Sequence, residues 1–575
     1  PKENVVSFPN HLLINSVSIN TYRQTKPPNK PSFYIYNNKT SIPSCPFPNG
    51  REKICFPHKE MATLLLLVLF LPFLCLGWFA IQNNNKAVII PNWPVVGMLP
   101  SLLWNVSHDL FHEFITRVMK QSGGTFRFRG PWFAGVDFLI TVDPMNVHHI
   151  LSKNFNNYPK GPNLKAILDP LGDGIFNIDG ESWKSQRETI HSLINTTKFH
   201  HLMLKTLHDK LQNGLIPILH NSSSKLHNNN ALPPPLDLQE LMKRLTFDTI
   251  CSLVMGFDPK YLSIELPSLP YADAFDVIEQ VILYRHCVPT TVWKFQRWVG
   301  IGDERKMREA QECFDGFLEE RIRVKKKDSF EKKEMETVVD DDFLTMILSG
   351  EAGIDQGKLT DGFLRDVMFN LLVAGRDTIA AALSWFFWLV AKNPNVEEKI
   401  LKELDQVMGK ETSFPTTDEL NKMVYLHGAM CETLRLYPSV PYEHKQSIEP
   451  DVLPSGHAID GNTRILLSIF SMGRMEEIWG SDWMDFKPER WISVGSTDEK
   501  KMVVSHVPAY KFAAFMAGPR TCLGRKIAFV QMKAVASCVL CRFKFEVVDD
   551  HPVVPDASIL MFMKYGLKVR VSNRA

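Results

Sequence analysis

The hydrophobic pattern changes abruptly along this chain of 575 residues. Residues 1–60 show neither a helical nor a strand period; they are rich in Asn, Pro and Lys and contain no Met, Ala, Asp or Trp. Met61 to Ile81 then carries no charge. The stretch Leu64 to Ile81 is long enough, at about 1.5 Å rise per residue, to cross a bilayer as one helix. A cleaved secretory signal is the competing reading, but the run is long and the polar Gln82 to Lys86 follows in place of a clear small-x-small site. Residues 61–82 are therefore read as a retained transmembrane anchor. Translation is expected to start at Met61, with residues 1–60 a gene-model extension. The alternative is a disordered leader, whose Arg51, Lys53 and Lys59 would bias that flank towards the cytoplasm. Residues 83–100 hold Pro91, Pro94, Gly97 and Pro100, a stiff proline-rich hinge that cannot continue a helix.

Residues 101–575 show no repeat and no internal linker, and are read as one large domain, mainly α with small β-sheets. Thr125–Arg129 and Asp137–Val142 alternate as short strands around Gly130-Pro131 and predict a hairpin or small sheet. From there to about Lys445 the pattern is mostly helical. A long helix is expected from an N-cap at Thr360 to Lys392, about 32 residues and roughly 48 Å. Its second half is apolar, yet extending it backwards to membrane-spanning length brings in Arg376 and Asp377. The charged stretch Val324 to Asp342 is read as a solvated loop between helices. A last helix is predicted from Arg525 to about Cys541.

Composition is ordinary for a globular protein, 22% charged and 45% hydrophobic, and the net charge of +2 argues against nucleic acid as a partner. Ten cysteines lie scattered without framework spacing, which suits a reducing compartment. Cys538 and Cys541 have no second pair to complete a tetrahedral zinc site and read as packing residues.

Candidate chemistry concentrates in the run Phe515-Met-Ala-Gly518-Pro-Arg520-Thr-Cys522-Leu-Gly524. The glycines allow close approach of a bulky flat ligand. The arginine can pair with an anionic substituent, and the following helix start favours a thiolate. A buried structural cysteine is the bland alternative. Four further motifs accompany it: Ala374-Gly375-Arg376-Asp377-Thr378 within the long helix, Glu432-Thr-Leu-Arg435, Pro488-Glu-Arg490-Trp491, and Trp183-Lys-Ser-Gln-Arg187. Glycine in mid-helix costs about 1 kcal/mol and suggests a packing or functional need. Trp183 and Arg187 share a helix face and can both donate to an anion.

Together, in this order, these motifs resemble the cytochrome P450 superfamily, the haem-thiolate monooxygenases, over about residues 91–575. The resemblance implies the P450 fold and an axial Cys522 on the iron of haem b, with Phe515, Gly518, Arg520 and Gly524 shaping the loop. It implies that Ala374 and Gly375 make room for dioxygen while Asp377 and Thr378 deliver protons. Trp183, Arg187 and Arg520 grip the propionates with either His444 or Lys445, of which His444 is preferred here. Glu432, Arg435 and Arg490 form a buried structural network. Electrons come from NADPH through a cytochrome P450 reductase, for which Lys184, Arg525 and Lys526 offer a basic face. The other partners implied are a small hydrophobic substrate and membrane lipid. The location implied is the endoplasmic reticulum membrane, single-pass, with the catalytic domain cytosolic. Two departures stand out: Ile379 where many relatives carry a second threonine, and Met516 where Asn or Gly is frequent.

The runs Asn157–Asn163, Leu171–Asn177, His444-Lys445 and Asp451–Gly456 look like the plant clan of fatty-acid ω-hydroxylases. Asn92-Trp93-Pro94 and the block from Trp479 to Trp491 look closest to the mid-chain alkane hydroxylases. This implies long aliphatic substrates in a pocket lined by Ile167, Leu168, Leu171, Val373, Val440, Ile559 and Leu560. The same branch includes enzymes that couple phenols in plant alkaloid synthesis, and that alternative stays open. A haem-thiolate isomerase or dehydratase using hydroperoxides has no need of Thr378. A non-catalytic haem protein has no need of a complete set of catalytic positions.

Overall fold

The computed structural model describes residues 89–574, apart from 132–135, 225–234, 336–341, 352, 354–356, 358, 410–413 and 495–501. The expected leader, the anchor and the first part of the hinge lie outside these residues. The rest of the hinge is a tight turn, closed by paired hydrogen bonds between Trp93 and Gly97 at 2.9 Å. It is fastened to the domain where Met98 N–H donates to Arg129 O, 2.7 Å.

The two alternating runs form the expected hairpin, β1 (Thr125–Phe128) and β2 (Phe138–Thr141), paired antiparallel. Two later strands join it, β3 (Tyr442–Gln446) and β4 (Arg464–Ser468), giving the sheet order β1-β2-β4-β3. β4 runs parallel to β2, with Leu139 opposite Ile465, and antiparallel to β3, with His444 opposite Leu466. Because side chains alternate along a strand, His444 and Lys445 must serve opposite faces of this sheet. A separate small sheet pairs β5 (Phe543–Val547) with β6 (Lys568–Asn573).

The remainder is helical. The elements that build the site are α1 (Gly161–Ile167), α2 (Gly180–Ile194), α3 (Leu238–Met255), α4 (Pro270–Cys287), α5 (Gly302–Met335), α6 (Asp361–Gly375), α7 (Asp377–Lys392), α8 (Val424–Leu436) and α9 (Arg525–Leu540). The charged stretch after Val324 is therefore not a loop as expected: α5 continues to Met335, and Lys325 pairs with the buried Asp342 at 2.7 Å. Charge alternation along an exposed helix face had the same appearance as a solvated connection.

Thr360 caps α6 by accepting from Phe363 N–H. The long helix is nearly continuous but bends at Arg376, whose ψ of −76° departs from helical geometry. Its second half, α7, is the centre of the core: Ala380, Leu383, Trp385, Phe386 and Phe387 are all buried. Each large side chain so buried contributes about 1.5–3 kcal/mol. Trp385 stacks on Tyr437 with centroids 3.8 Å apart and donates its indole N–H to Met561 O at 2.7 Å. α3, α8 and α9 pack around α7, so the helix is held from several sides. Cys538 is fully buried in α9, among packing residues.

Candidate active site

The cysteine loop is folded by its own backbone. Cys522 N–H donates to Phe515 O at 2.9 Å, which brings the sulfur to the mouth of the turn just before α9. Gly518 has φ +66°, and a Cβ there would run into the Leu151 backbone, 2.8 Å from its carbonyl carbon. Glycine is required at this point by both conformation and space. Met516 is less comfortable, with φ 61° and ψ −179°, a region nearly exclusive to glycine. The unusual methionine noted in the sequence is thus a strained residue, its side chain packed on the sheet-side core.

The Cys522 side chain keeps open surface, yet protein encloses it closely enough to desolvate it, as befits a group facing an internal space. Burial pushes the thiol up. The Gly524 and Arg525 backbone N–H groups and the Arg187 and Arg525 charges oppose it but do not win. The helix start thus favours the thiolate, as the sequence led one to expect, against the larger effect of burial.

Behind the loop lies a group of cations. Arg187 on α2 donates to Thr521 O at 2.6 Å. Arg520 donates to Ile178 O (2.8 Å) and Asp179 Oδ1 (2.6 Å), and its guanidinium lies 4.4 Å above the Trp183 ring. Lys445 on β3 is fully buried and ion-paired with Glu443 at 2.9 Å. Lys160 reaches the same Glu443 oxygen at 3.1 Å. Burial alone would raise the Glu443 carboxyl, but Lys160 and Lys445 hold it down to about 2. Burial pushes Lys445 down to about 8, and the field of Arg520 acts in the same direction. Arg520 Nε is buried without a hydrogen-bond partner, and the Glu443 carboxylate is the one close partner of Lys445 Nζ among the described residues. This is a donor set for a dianionic planar ligand, and the residues fit a haem whose two carboxylates need cations. His444 is not among them. It sits on the opposite face of β3, against Phe138 and His286, so Lys445 replaces it in this group.

On the other side, Thr378 donates its hydroxyl to Ala374 O at 2.6 Å, bridging the bend between α6 and α7. Ala374 and Thr378 keep open surface while Arg376 and Asp377 are fully buried. Gly375 also has a packing role. A Cβ there would meet Ile250 of α3, 2.7 Å from Cγ1, so its small size lets two helices approach. Both Ala374 and Gly375 keep some open surface.

Arg376 and Asp377 belong to a cluster that the sequence did not reveal. Arg376 pairs with Asp276 of α4 at 2.6 Å and with Asp377 at 3.5 Å. Lys243 of α3 pairs with Asp276 at 2.6 Å. Glu279, one turn beyond Asp276, lies against Asp377. Burial, then the Asp377 charge, raises Glu279 well above the usual carboxylate range, and burial raises Asp377 as well. Two carboxyls in such contact cannot both ionise, so the pair retains a proton. Glu279 Oε1, Asp377 Oδ1 and Arg376 Nε are buried with no hydrogen-bond partner. Nothing local in the sequence announces this: the partners come from helices about a hundred residues apart.

The network around Glu432 is closed. Arg435 grips both of its oxygens at 2.7 and 2.8 Å, and Arg490 Nε donates to Oε1 at 3.2 Å. Trp491, part of the motif but given no role from the sequence, donates its indole N–H to Oε2 at 2.8 Å. Arg435 also reaches the carbonyls of Trp483 (2.7 Å) and Asp485 (3.0 Å), binding the segment that leads to the cysteine loop.

Of the expected lining residues, Ile167, Leu168, Leu171, Val373 and Ile559 gather in one apolar cluster beside Ala374. Val440 and Leu560 lie outside it but next to Thr378. Ser439 donates to Thr378 O at 2.6 Å and accepts Met561 N–H at 2.9 Å.

Comparison with known proteins agrees with this geometry. The profile of the family described as Cytochrome P450 matches residues 89–571. Alkane hydroxylase MAH1 of Arabidopsis thaliana is 41% identical over 523 residues, 89% of this chain and 100% of that protein. Cytochrome P450 86B1 of the same plant is 40% identical, covering 90% of this chain and 91% of its own length. Noroxomaritidine synthase 1 of Narcissus pseudonarcissus is 36% identical, covering 86% of this chain and 93% of its own. The chain belongs to the cytochrome P450 family and is accordingly a haem monooxygenase that uses oxygen and an electron donor.

Proposed function

We propose that this monooxygenase hydroxylates long aliphatic substrates, at a mid-chain carbon of an alkane or on a fatty acid. The observation that carries the reading is likeness to a relative named alkane hydroxylase over that relative's whole length. It is supported by the apolar cluster of Ile167, Leu168, Leu171, Val373 and Ile559 beside Ala374. Apolar lining alone is the default of any small-molecule site.

When bound, haem b supplies oxygen activation and C–H oxidation, with thiolate donation favouring O–O cleavage. Cys522 would hold its iron, and Arg187, Arg520, Lys445 and Trp183 its carboxylates. The Asp377–Glu279 pair keeps a proton immediately behind Thr378, and Thr378 passes a proton into the open space it faces. The apolar residues orient the chain and exclude water. Electrons come from NADPH through a reductase docking on a face that includes the exposed Lys184, Arg525 and Lys526. The protein sits on the endoplasmic reticulum membrane, anchored by Met61–Ile81 with its catalytic domain in the cytosol. A second apolar contact supports this: Phe295, Trp298 and Val299 are exposed, Trp298 by 82%.

The test is turnover by microsomes carrying the protein with a plant reductase and NADPH, on a panel of alkanes, fatty acids and phenolic alkaloid precursors. Hydroxylated aliphatic products are expected, and the hydroxyl position separates mid-chain from terminal attack. Oxidative phenol coupling is the second reading, kept by the likeness to noroxomaritidine synthase. Coupled phenols with no aliphatic product would overturn the first.

A further inference from the structure

The face of β3 opposite Lys445 carries a second basic group that the haem does not explain. His444 is only 5% exposed, and neither ring nitrogen has a hydrogen-bond partner. The His286 ring, from the last turn of α4, lies 6.3 Å from it between centroids. Phe138 of β2 presents its ring at 5.6 Å. Arg464 of β4 lies over that same ring at 4.6 Å, makes no ion pair among the described residues, and keeps open surface. The acid whose field reaches Arg464 is Asp137. That side chain is exposed and accepts Gly130 N–H at 2.8 Å.

His444 and Arg464 thus lie together beside Phe138, with His286 next to them, and neither His444 nor Arg464 makes an ion pair among the described residues. Burial first, then His286 and Arg464, holds His444 down to about 3, and burial with Arg464 lowers His286. His444 is neutral and can donate one N–H without adding charge, while the Arg464 guanidinium supplies the fork that fits a carboxylate. The single N–H of neutral His286 is already given to Ile282 O at 2.9 Å, so that ring only walls the group. The position is also informative. His286 keeps open surface although protein surrounds it, as do Glu279 and Cys522. Glu279 and His286 share one face of α4, seven residues and about 10 Å apart along its axis. Glu279 lies at Asp377, beside the reacting region, and His286 at the sheet. Arg285, next to it, donates to Ile167 O at 3.0 Å and so ties this end of α4 to the apolar lining.

We infer that Arg464 and His444, with His286 walling them, form a carboxylate-binding site that holds the head of a fatty acid while its chain runs along α4 towards Thr378. The inference rests on the aliphatic reading and selects within it. It favours an acid over an alkane, oxidised at a carbon remote from the carboxylate.

The test uses the haem-loaded enzyme, titrated with palmitic acid, methyl palmitate and hexadecane while the haem absorbance shift is followed. The acid is expected to bind at least about tenfold tighter than its methyl ester, the scale of a hydrogen bond to a charged group. Arg464→Gln should bring that ratio close to one, Arg464→Lys should keep part of it, and His444→Leu should lower it. The reduced carbon-monoxide spectrum checks that each variant is loaded. If Arg464→Gln does not load, the other two variants and the wild-type ratio still decide. An acid that binds no tighter than its ester, or a ratio untouched by all three substitutions, overturns the site and leaves the aliphatic reading standing. A shift with a phenolic amine but with none of the three aliphatic compounds removes both.

Discussion

At the residue scale, the site is a matter of which protons and charges are held where. Thr378 is the group proposed to pass a proton, so Thr378→Ala should lower product formation by about 10²-fold, in the range of general acid catalysis. Reducing equivalents should then appear as hydrogen peroxide, measured against NADPH consumed. Glu279→Gln tests the group behind it. It removes the carboxyl in contact with Asp377 and leaves Arg376 in place between Asp377 and Asp276, so Asp377 should ionise more readily. Coupling of electrons to product should fall, and the alkaline limb of its pH profile should move to lower pH. An unchanged profile would show that Glu279 is only structural. The cysteine loop was legible in the sequence because its residues are local: five positions in ten residues. Glu279, Lys160 and Glu443 were not, because each acquires its meaning from a partner on another element. The exchange of His444 for Lys445 has the same origin. Adjacent residues on a strand are indistinguishable in composition but face opposite ways.

At the scale of elements, helix packing decides what Gly375 does. Ile250 of α3 occupies the space a Cβ would need. Gly375→Ala should therefore destabilise the protein by about 1–3 kcal/mol, the usual cost of overpacking. Adding Ile250→Ala should return much of that loss, since the double change restores the space. Denaturant midpoints of the two single variants and the double variant measure the coupling. If the losses add, the glycine serves the open side of the helix instead. The long helix, its Thr360 cap and the hairpin were all legible, since each rests on a short-range pattern. The bend at Arg376 and the extension of α5 to Met335 were not. The first depends on an ion pair with α4, and the second on how much of a charged face a neighbouring helix covers.

At the scale of the whole molecule, burial has left several histidines uncharged. His112 lies in the core with its ring nitrogens at 3.0 Å from Tyr442 Oη and 2.9 Å from Asp556 O. Burial lowers it to about 4, and burial likewise lowers His427 to about 4. An unfolded chain takes up these protons near pH 6.5, the folded one only near 4. Stability is therefore complete above about 6.5 and is lost as the pH falls towards 4, by up to about 3 kcal/mol for one such histidine. Denaturant midpoints should fall across that window, and His112→Gln should flatten the slope; an equal slope in the variant would assign the loss elsewhere. The exposed patch of Phe295 and Trp298 makes a second prediction at this scale. In a chain without Met61–Ile81, Phe295→Asp with Trp298→Asp should weaken binding to lipid vesicles about tenfold or more, by flotation. The fold class was visible in the sequence, whereas this patch was not, because exposure depends on which neighbours a helix lacks.

The bend at Arg376 has a consequence for synthesis beside a membrane. Asp361–Lys392 is long and apolar enough to cross a bilayer, although most of it ends inside the protein. A ribosome delivering this segment next to an insertion channel offers it two destinations. Arg376 and Asp377 stand near its middle, where each charge costs about 2.5–3.5 kcal/mol to place in lipid. On the proposed membrane location, the buried pair would thus act first as a sorting signal, turning this apolar segment back towards the core it fills.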